Sequence, residues 1–92
     1  MSGPVIRELM IVNEKGLHAR ASAKFVETVE GFDATALVRR DGMDASGDSI
    51  MGLLMLAASK GSSIEVETRG AEAEALANAL ADLIAARFGE DM

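Results

Sequence analysis

The apolar residues of this chain change period along its length, and that change restricts the architectures open to it. Val5 to Val12 alternates loosely, with Leu9 and Ile11 on the more apolar face, and ends at the turn-forming "NEKG". From Ala19 to Glu30 the period lengthens. Ala21, Ser22, Phe25, Val26 and Val29 gather on one side of a helix, with Arg20, Lys24 and Glu27 on another, and Gly31 stops it. "ATALVRR", "DG" and "MDAS" then read as two strands joined by a tight turn, since Asp-Gly supplies the positive φ angles that such turns need. "DSIMGLLMLAASKG" is a short helix with Asp48 or Ser49 as N-cap and Gly61 as terminator, although Gly52 inside it disfavours helix. "SSIEVET" is a strand with Ile64 and Val66 opposite Glu65 and Glu67. A last helix from Glu72 to Arg87 carries one stripe of Ala73, Leu76, Ala77, Leu80, Leu83, Ile84 and Phe88. Glu72 and Glu74 at its start and Arg87 at its end suit the helix dipole.

The order is therefore β-α-β-β-α-β-α, without repeats, linkers or low-complexity segments. Each helix has a single apolar stripe to bury, so the economical arrangement is of the α+β class. It is a four-stranded, mainly antiparallel sheet with three helices on one face and water on the other. A chain of 92 residues closes one core, and residues 1–92 are expected to form a single domain.

Composition narrows the functions. A net charge of −6, from fifteen acidic and nine basic residues, repels a phosphate backbone, and three phenylalanines without tryptophan or tyrosine leave few surfaces for base stacking. Nucleic acid is a poor partner on both counts. No apolar run is long enough to span a bilayer, and "MSGPVIRELMIV" is broken by Arg7 and Glu8, unlike a signal peptide. The absence of cysteine excludes disulfides and thiolate metal sites, and a reducing, cytoplasmic location is the natural expectation.

The chemistry centres on "GLHARASAKFVETVEGF", which contains His18, the only histidine. A lone histidine in a turn is most often a solvated or capping side chain. Here, however, it lies one residue before the expected helix start, so the free N–H groups of Ala19 and Arg20 would point towards whatever the ring carries. The Arg20 guanidinium adds a fork suited to phosphate oxygens. A neutral imidazole is nucleophilic enough to take a phosphoryl group and a good enough leaving group to release it. A zinc site, which needs three or four ligands, fits badly with one histidine and no cysteine. Sequence order does not exclude a Ser-His-Asp triad, which is geometric, but neither a GxSxG elbow nor a nucleotide-binding glycine loop is present. No cofactor is called for.

At these residues the chain resembles the HPr family, the histidine phosphocarriers of the bacterial phosphoenolpyruvate-dependent phosphotransferase system. The resemblance covers essentially the whole chain and rests on "GLHARASAKF" and on "SIMGLLML" from Ser49 to Leu56, with Gly31-Phe32 and the Asp41-Gly42 turn also in family positions. It implies an open-faced β-sandwich in which His18 accepts a phosphoryl group on Nδ1 from phospho-enzyme I and passes it to a IIA-type protein. It also implies that Arg20 steadies the phosphate and that Ser49 matches a serine which a dedicated kinase/phosphatase marks in some bacteria. Ile50, Met51 and Leu54 would match the family's apolar docking patch, whereas Leu53 and Leu56 are assigned to the core. Met51 and Met55 are adaptable residues of the kind found on surfaces that meet several partners.

Two departures stand out. Ala21 occupies the place of a family proline, which loosens the first helical turn without removing it, and the more divergent nitrogen-related branch is a candidate home beside the sugar-transport branch. Asp48 puts a negative charge directly before Ser49, which opposes a phosphate there and leaves Ser49 either a regulatory site or an N-cap. A regulatory binding module governed by Ser49 alone, and a scaffold without chemistry, are the rival readings. A carrier that docks two partners in turn is most simply a monomer.

Overall fold

Four strands form one sheet in the computed structural model, which describes residues 3–92. They are β1 (Val5–Met10), β2 (Thr35–Arg40), β3 (Met43–Ser46) and β4 (Ser63–Arg69), ordered β1-β4-β2-β3. All three neighbouring pairs are antiparallel, with Leu9 opposite Ile64, Val66 opposite Val38 and Val38 opposite Ala45. β1 and β2 thus run parallel on either side of β4, and the helix between them crosses over one sheet face. The turn between β2 and β3 has positive φ at both Asp41 (51°) and Gly42 (79°), as expected for a two-residue hairpin.

The helices are α1 (Ala19–Glu30), α2 (Ile50–Met55) and α3 (Ala73–Ala85). Their apolar stripes meet the inward faces of the strands in one core that includes Phe25, Leu53, Leu76, Leu80, Ile64, Val66 and Val38. Removing each such side chain from water contributes about 1.5–3 kcal/mol, which is the main favourable term for a chain this small. Ala21, Ser22, Phe25, Val26 and Val29 are the buried residues of α1, as their spacing required. Leu9 is half-buried on the core side of β1 and Ile11, just beyond the strand, is fully buried. Gly52 has a structural reason: a Cβ there would lie 3.1 Å from Ser49 Oγ and 3.3 Å from Ala45 Cβ, so glycine lets α2 approach β3 closely.

Three expectations need correction. α2 ends at Met55, not near Gly61, because the chain leaves the helix through Ala57 (φ 51°) to bury Ala58 against the turn after β1. α3 ends at Ala85, so Arg87 and Phe88 lie beyond it. Phe88 is fully buried as its place in the stripe suggested, but it gets there through a 3-10 turn over Arg87–Gly89 in which Arg87, Phe88 and Gly89 all have positive φ. Glu67, read as a solvated strand residue, is only 7% exposed.

Glu67 is the charged centre of the open sheet face. Arg39 Nη1 lies 3.0 Å from its Oε1, and Arg69 Nε donates to its Oε2 at 2.7 Å. Hydrogen bonds from Arg39 and then Arg69 hold the Glu67 carboxyl below its ordinary value, against the opposing effect of burial. A group whose pKa is lowered by folding stabilises the protein above its ordinary pKa, and that stability is lost as pH falls through the folded value. Glu67→Gln is therefore expected to be less stable than the native chain at neutral pH. The difference should shrink as the pH falls from about 5 to about 3, read as urea midpoints across the pH series. A constant difference would show that the charge of Glu67 is not what stabilises this face.

Candidate functional site

The turn that carries His18 is fixed from both sides. Ile11 N–H donates to the Ser62 carbonyl at 2.9 Å and Gly61 N–H returns to the Ile11 carbonyl at 2.8 Å. Asn13, fully buried, donates through Nδ2 to the Gly16 carbonyl at 2.9 Å, while Gly16 N–H donates to the Asn13 carbonyl at 3.2 Å. Gly16 has a φ of +66°, and a Cβ on it would lie 2.5 Å from the Ala58 carbonyl oxygen. Only glycine satisfies both conditions. Leu17 then buries its side chain and donates its N–H to that same Ala58 carbonyl at 2.9 Å.

His18 follows as the N-cap of α1, with extended backbone (φ −76°, ψ −175°) and a carbonyl that accepts from Ser22 N–H at 2.8 Å. Its Nδ1 accepts from the backbone N–H of Arg20 at 3.3 Å, the role that Ser or Asp usually plays at a helix start. Nδ1 is thus the nitrogen that faces the helix N-terminus. Among the described residues, the Ala19 N–H, expected beside it, has no acceptor. Arg20 is exposed and, among the described residues, its guanidinium has no carboxylate partner. Lys15, Arg20 and Lys24 line one groove with His18, and Glu14, Glu90 and Asp91 line it too, so the groove carries charges of both signs.

The other side of the ring is occupied in a way the sequence did not reveal. Nε2 is hydrogen-bonded to Oε2 of Glu90, 72 residues away, and the His18 side chain is only 27% exposed instead of freely solvated. Glu90 Oε1 accepts from Asn13 Nδ2 at 3.0 Å. Both partners of that amide nitrogen are oxygens, so only the NH2 end of Asn13 can serve them, and its Oδ1 is left buried without a partner. Burial pushes the Glu90 carboxyl up. The hydrogen bonds from His18 and Asn13, with the nearby charge of Lys15, outweigh it and hold the group below its ordinary value. Glu90 arrives here because Phe88 anchors the tail in the core and Lys24 Nζ donates to the Phe88 carbonyl at 2.6 Å.

Ser49 is half-buried and caps α2, its Oγ accepting from Gly52 N–H at 3.0 Å. Asp48 beside it takes the Ser46 hydroxyl at 2.5 Å, so its charge stays next to Ser49. Ile50 (42%) and Met51 (70%) are exposed, Leu54 is half-buried, and Leu53 and Leu56 are core residues. Met55 is also exposed. Ala21 is buried in the first turn of α1, which begins at Ala19 without the proline. Among the described residues no three His, Cys, Asp or Glu side chains converge to hold a metal ion, and no helix is long and apolar enough to cross a membrane.

Comparison with known proteins points to one family. The family model described as PTS HPr component phosphorylation site matches residues 5–86. The phosphocarrier protein HPr of Neisseria meningitidis serogroup A is 52% identical over 85 residues, covering 91% of this chain and 94% of that protein. The phosphocarrier protein NPr of Escherichia coli K12 is 43% identical over 82 residues, covering 88% and 91%. The crystal structure of HPr-C-His from Thermoanaerobacter tengcongensis superposes with a TM-score of 0.90 at 35% identity, over 96% of this chain and 99% of that one.

The close approach at Gly16 predicts that Gly16→Ala destabilises the protein by roughly 1–3 kcal/mol, because alanine must adopt positive φ while its Cβ meets the Ala58 carbonyl. Chemical denaturation would show it as a lowered urea midpoint at unchanged slope. A neutral substitution would mean that the contact between the two turns yields freely.

Proposed function

The chain belongs to the HPr family of phosphotransferase-system phosphocarriers, and on that premise we propose that it takes a phosphoryl group on His18 Nδ1 from phospho-enzyme I and passes it to a IIA-type protein. The observation that carries this reading is the placement of Nδ1 against the Arg20 N–H at the N-terminus of α1, with the exposed Arg20 side chain lining the same groove. A phosphoryl group on Nδ1 would take over the Arg20 N–H, lie at the positive end of the helix dipole and come within reach of the Arg20 fork. Transfer then needs no cofactor on this chain and no catalysis by it: the donor and acceptor proteins bring the reaction, and His18 supplies a nucleophile that becomes a leaving group.

Ile50, Met51 and Leu54, with Met55, form the docking surface in this reading, which their partial exposure supports. The end of α2 is tied through Ala58 to Leu17, the residue before His18, so a partner seated on α2 has the ring near its edge. Ser49 is the regulatory position. A phosphate there, put on by a serine kinase/phosphatase, would displace the cap on Gly52 and bring charge beside Ile50 and Met51. The protein acts in the cytoplasm as a monomer that meets donor and acceptor in turn. The choice between sugar-transport and nitrogen-related acceptors lies in which IIA protein receives the group.

Incubation with phosphoenolpyruvate, magnesium and enzyme I, followed by intact mass before and after brief acid treatment, tests the reading. One acid-labile phosphoryl group is expected on the native chain and none on His18→Ala. No gain with the cognate enzyme I would leave Ser49 and α2 as the functional centre and favour a binding module. Arg20→Ala should still be phosphorylated but on the order of 10- to 100-fold more slowly, the loss of one charge-assisted contact. An unchanged rate removes Arg20 from the mechanism. Ser49→Asp should slow acceptance from enzyme I while Ser49→Ala does not, and equal rates for the two would dismiss the regulatory role.

A further inference from the structure

Two contacts on the His18 ring specify one arrangement of protons. Nδ1 accepts from the Arg20 N–H and therefore carries a lone pair, so the neutral ring must hold its proton on Nε2, where Glu90 Oε2 receives it. Nothing about the local sequence around His18 supplies that second contact. It is delivered by a tail whose left-handed turn at Arg87 and Phe88 has no glycine at its first two positions, and whose strain is offset by full burial of the Phe88 side chain. Asn13, buried under the turn, holds the other oxygen of the same carboxylate. Lys24 holds the tail backbone from α1. Four independent features thus converge to bring one carboxylate to one ring nitrogen.

We propose that Glu90 is the positioning residue for His18: it keeps the ring proton on Nε2 and the ring plane turned so that the Nδ1 lone pair is presented at the N-terminus of α1. The inference rests on His18 being the phosphoryl acceptor. In the transfer step the Nδ1 lone pair forms the N–P bond while the bond from phosphorus to the donor protein's histidine breaks, its electron pair returning to that donor nitrogen. The Nε2 proton stays on His18. The ring then bears positive charge beside the carboxylate of Glu90, the one carboxylate bonded to it among the described residues, which offsets that charge. Glu90 touches neither phosphorus nor donor, so it acts through the ring.

Because His18 is the only histidine, its ring can be read without ambiguity in the full-length protein. Proton–nitrogen correlation spectra of the native chain are expected to show protonated Nε2 with a ring proton protected from exchange with water, and a bare Nδ1 in the neutral form. In Glu90→Ala the protected proton should disappear into exchange, and phosphoryl acceptance from enzyme I should slow on the order of tenfold. Glu90→Gln retains an acceptor oxygen but no charge, so it should keep part of the protection and recover part of the rate. Urea midpoints of both variants establish that the fold is intact. A native ring protonated on Nδ1, or a Glu90→Ala variant with unaltered ring spectrum and rate, overturns the proposal. If the native chain takes no phosphoryl group at all, the carrier reading fails instead, and the spectra still decide whether Glu90 holds the ring.

Discussion

A single backbone hydrogen bond, from the Leu17 N–H to the Ala58 carbonyl at 2.9 Å, organises the functional end of this molecule. It requires the chain to pass within van der Waals contact of itself at Gly16, where any side chain would collide with that carbonyl. It also requires α2 to stop early, because Ala58 must leave the helix to present its oxygen. With the bond in place, Leu17 is buried, α1 starts at Ala19, and His18 has no position other than the N-cap. The site therefore costs the protein helical residues after Met55 and a left-handed glycine, and gains a rigidly placed imidazole in return.

The second organising element is the C-terminal tail. Burial of Phe88 fixes the tail's path, and the carboxylate two residues later reaches His18 and Asn13. Two segments at opposite ends of the sequence thus share one imidazole: the helix start claims Nδ1 and the tail claims Nε2. The Asn13 amide nitrogen is bonded twice, to the Gly16 carbonyl and to Glu90, which offsets part of the cost of burying an amide whose Oδ1 has no partner. The open face of the sheet follows the same logic at a distance from the site, where Arg39 and Arg69 enclose Glu67.

Most elements were legible because their signals are local. The stripe of α1 depends on spacing within twelve residues, and the Asp41-Gly42 turn on the φ angles of two. His18 and Arg20 could be read for the same reason, since an N-cap and the residue two beyond it lie within one turn of helix. The exposure of Ile50 and Met51 was expected from the family resemblance, and Leu53 and Leu56 are buried as assigned. The misread boundaries have a common cause. At Met55 and at Ala85 the local sequence still favours helix, but contacts with remote residues, Leu17 in one case and α1 in the other, pull the chain out of it.

What the sequence determined by itself was the set of elements, their buried faces and the presence of an imidazole at a helix start with an arginine two residues on. These rest on periodicity and capping, interactions that span a few residues and can be evaluated wherever they occur. The tertiary structure alone decided that β4 inserts between β1 and β2, that Glu67 is enclosed, and that Glu90 holds the far side of the ring. Each of those depends on pairing residues tens of positions apart, and the identity of a long-range partner is set by how the core closes, which no local pattern encodes.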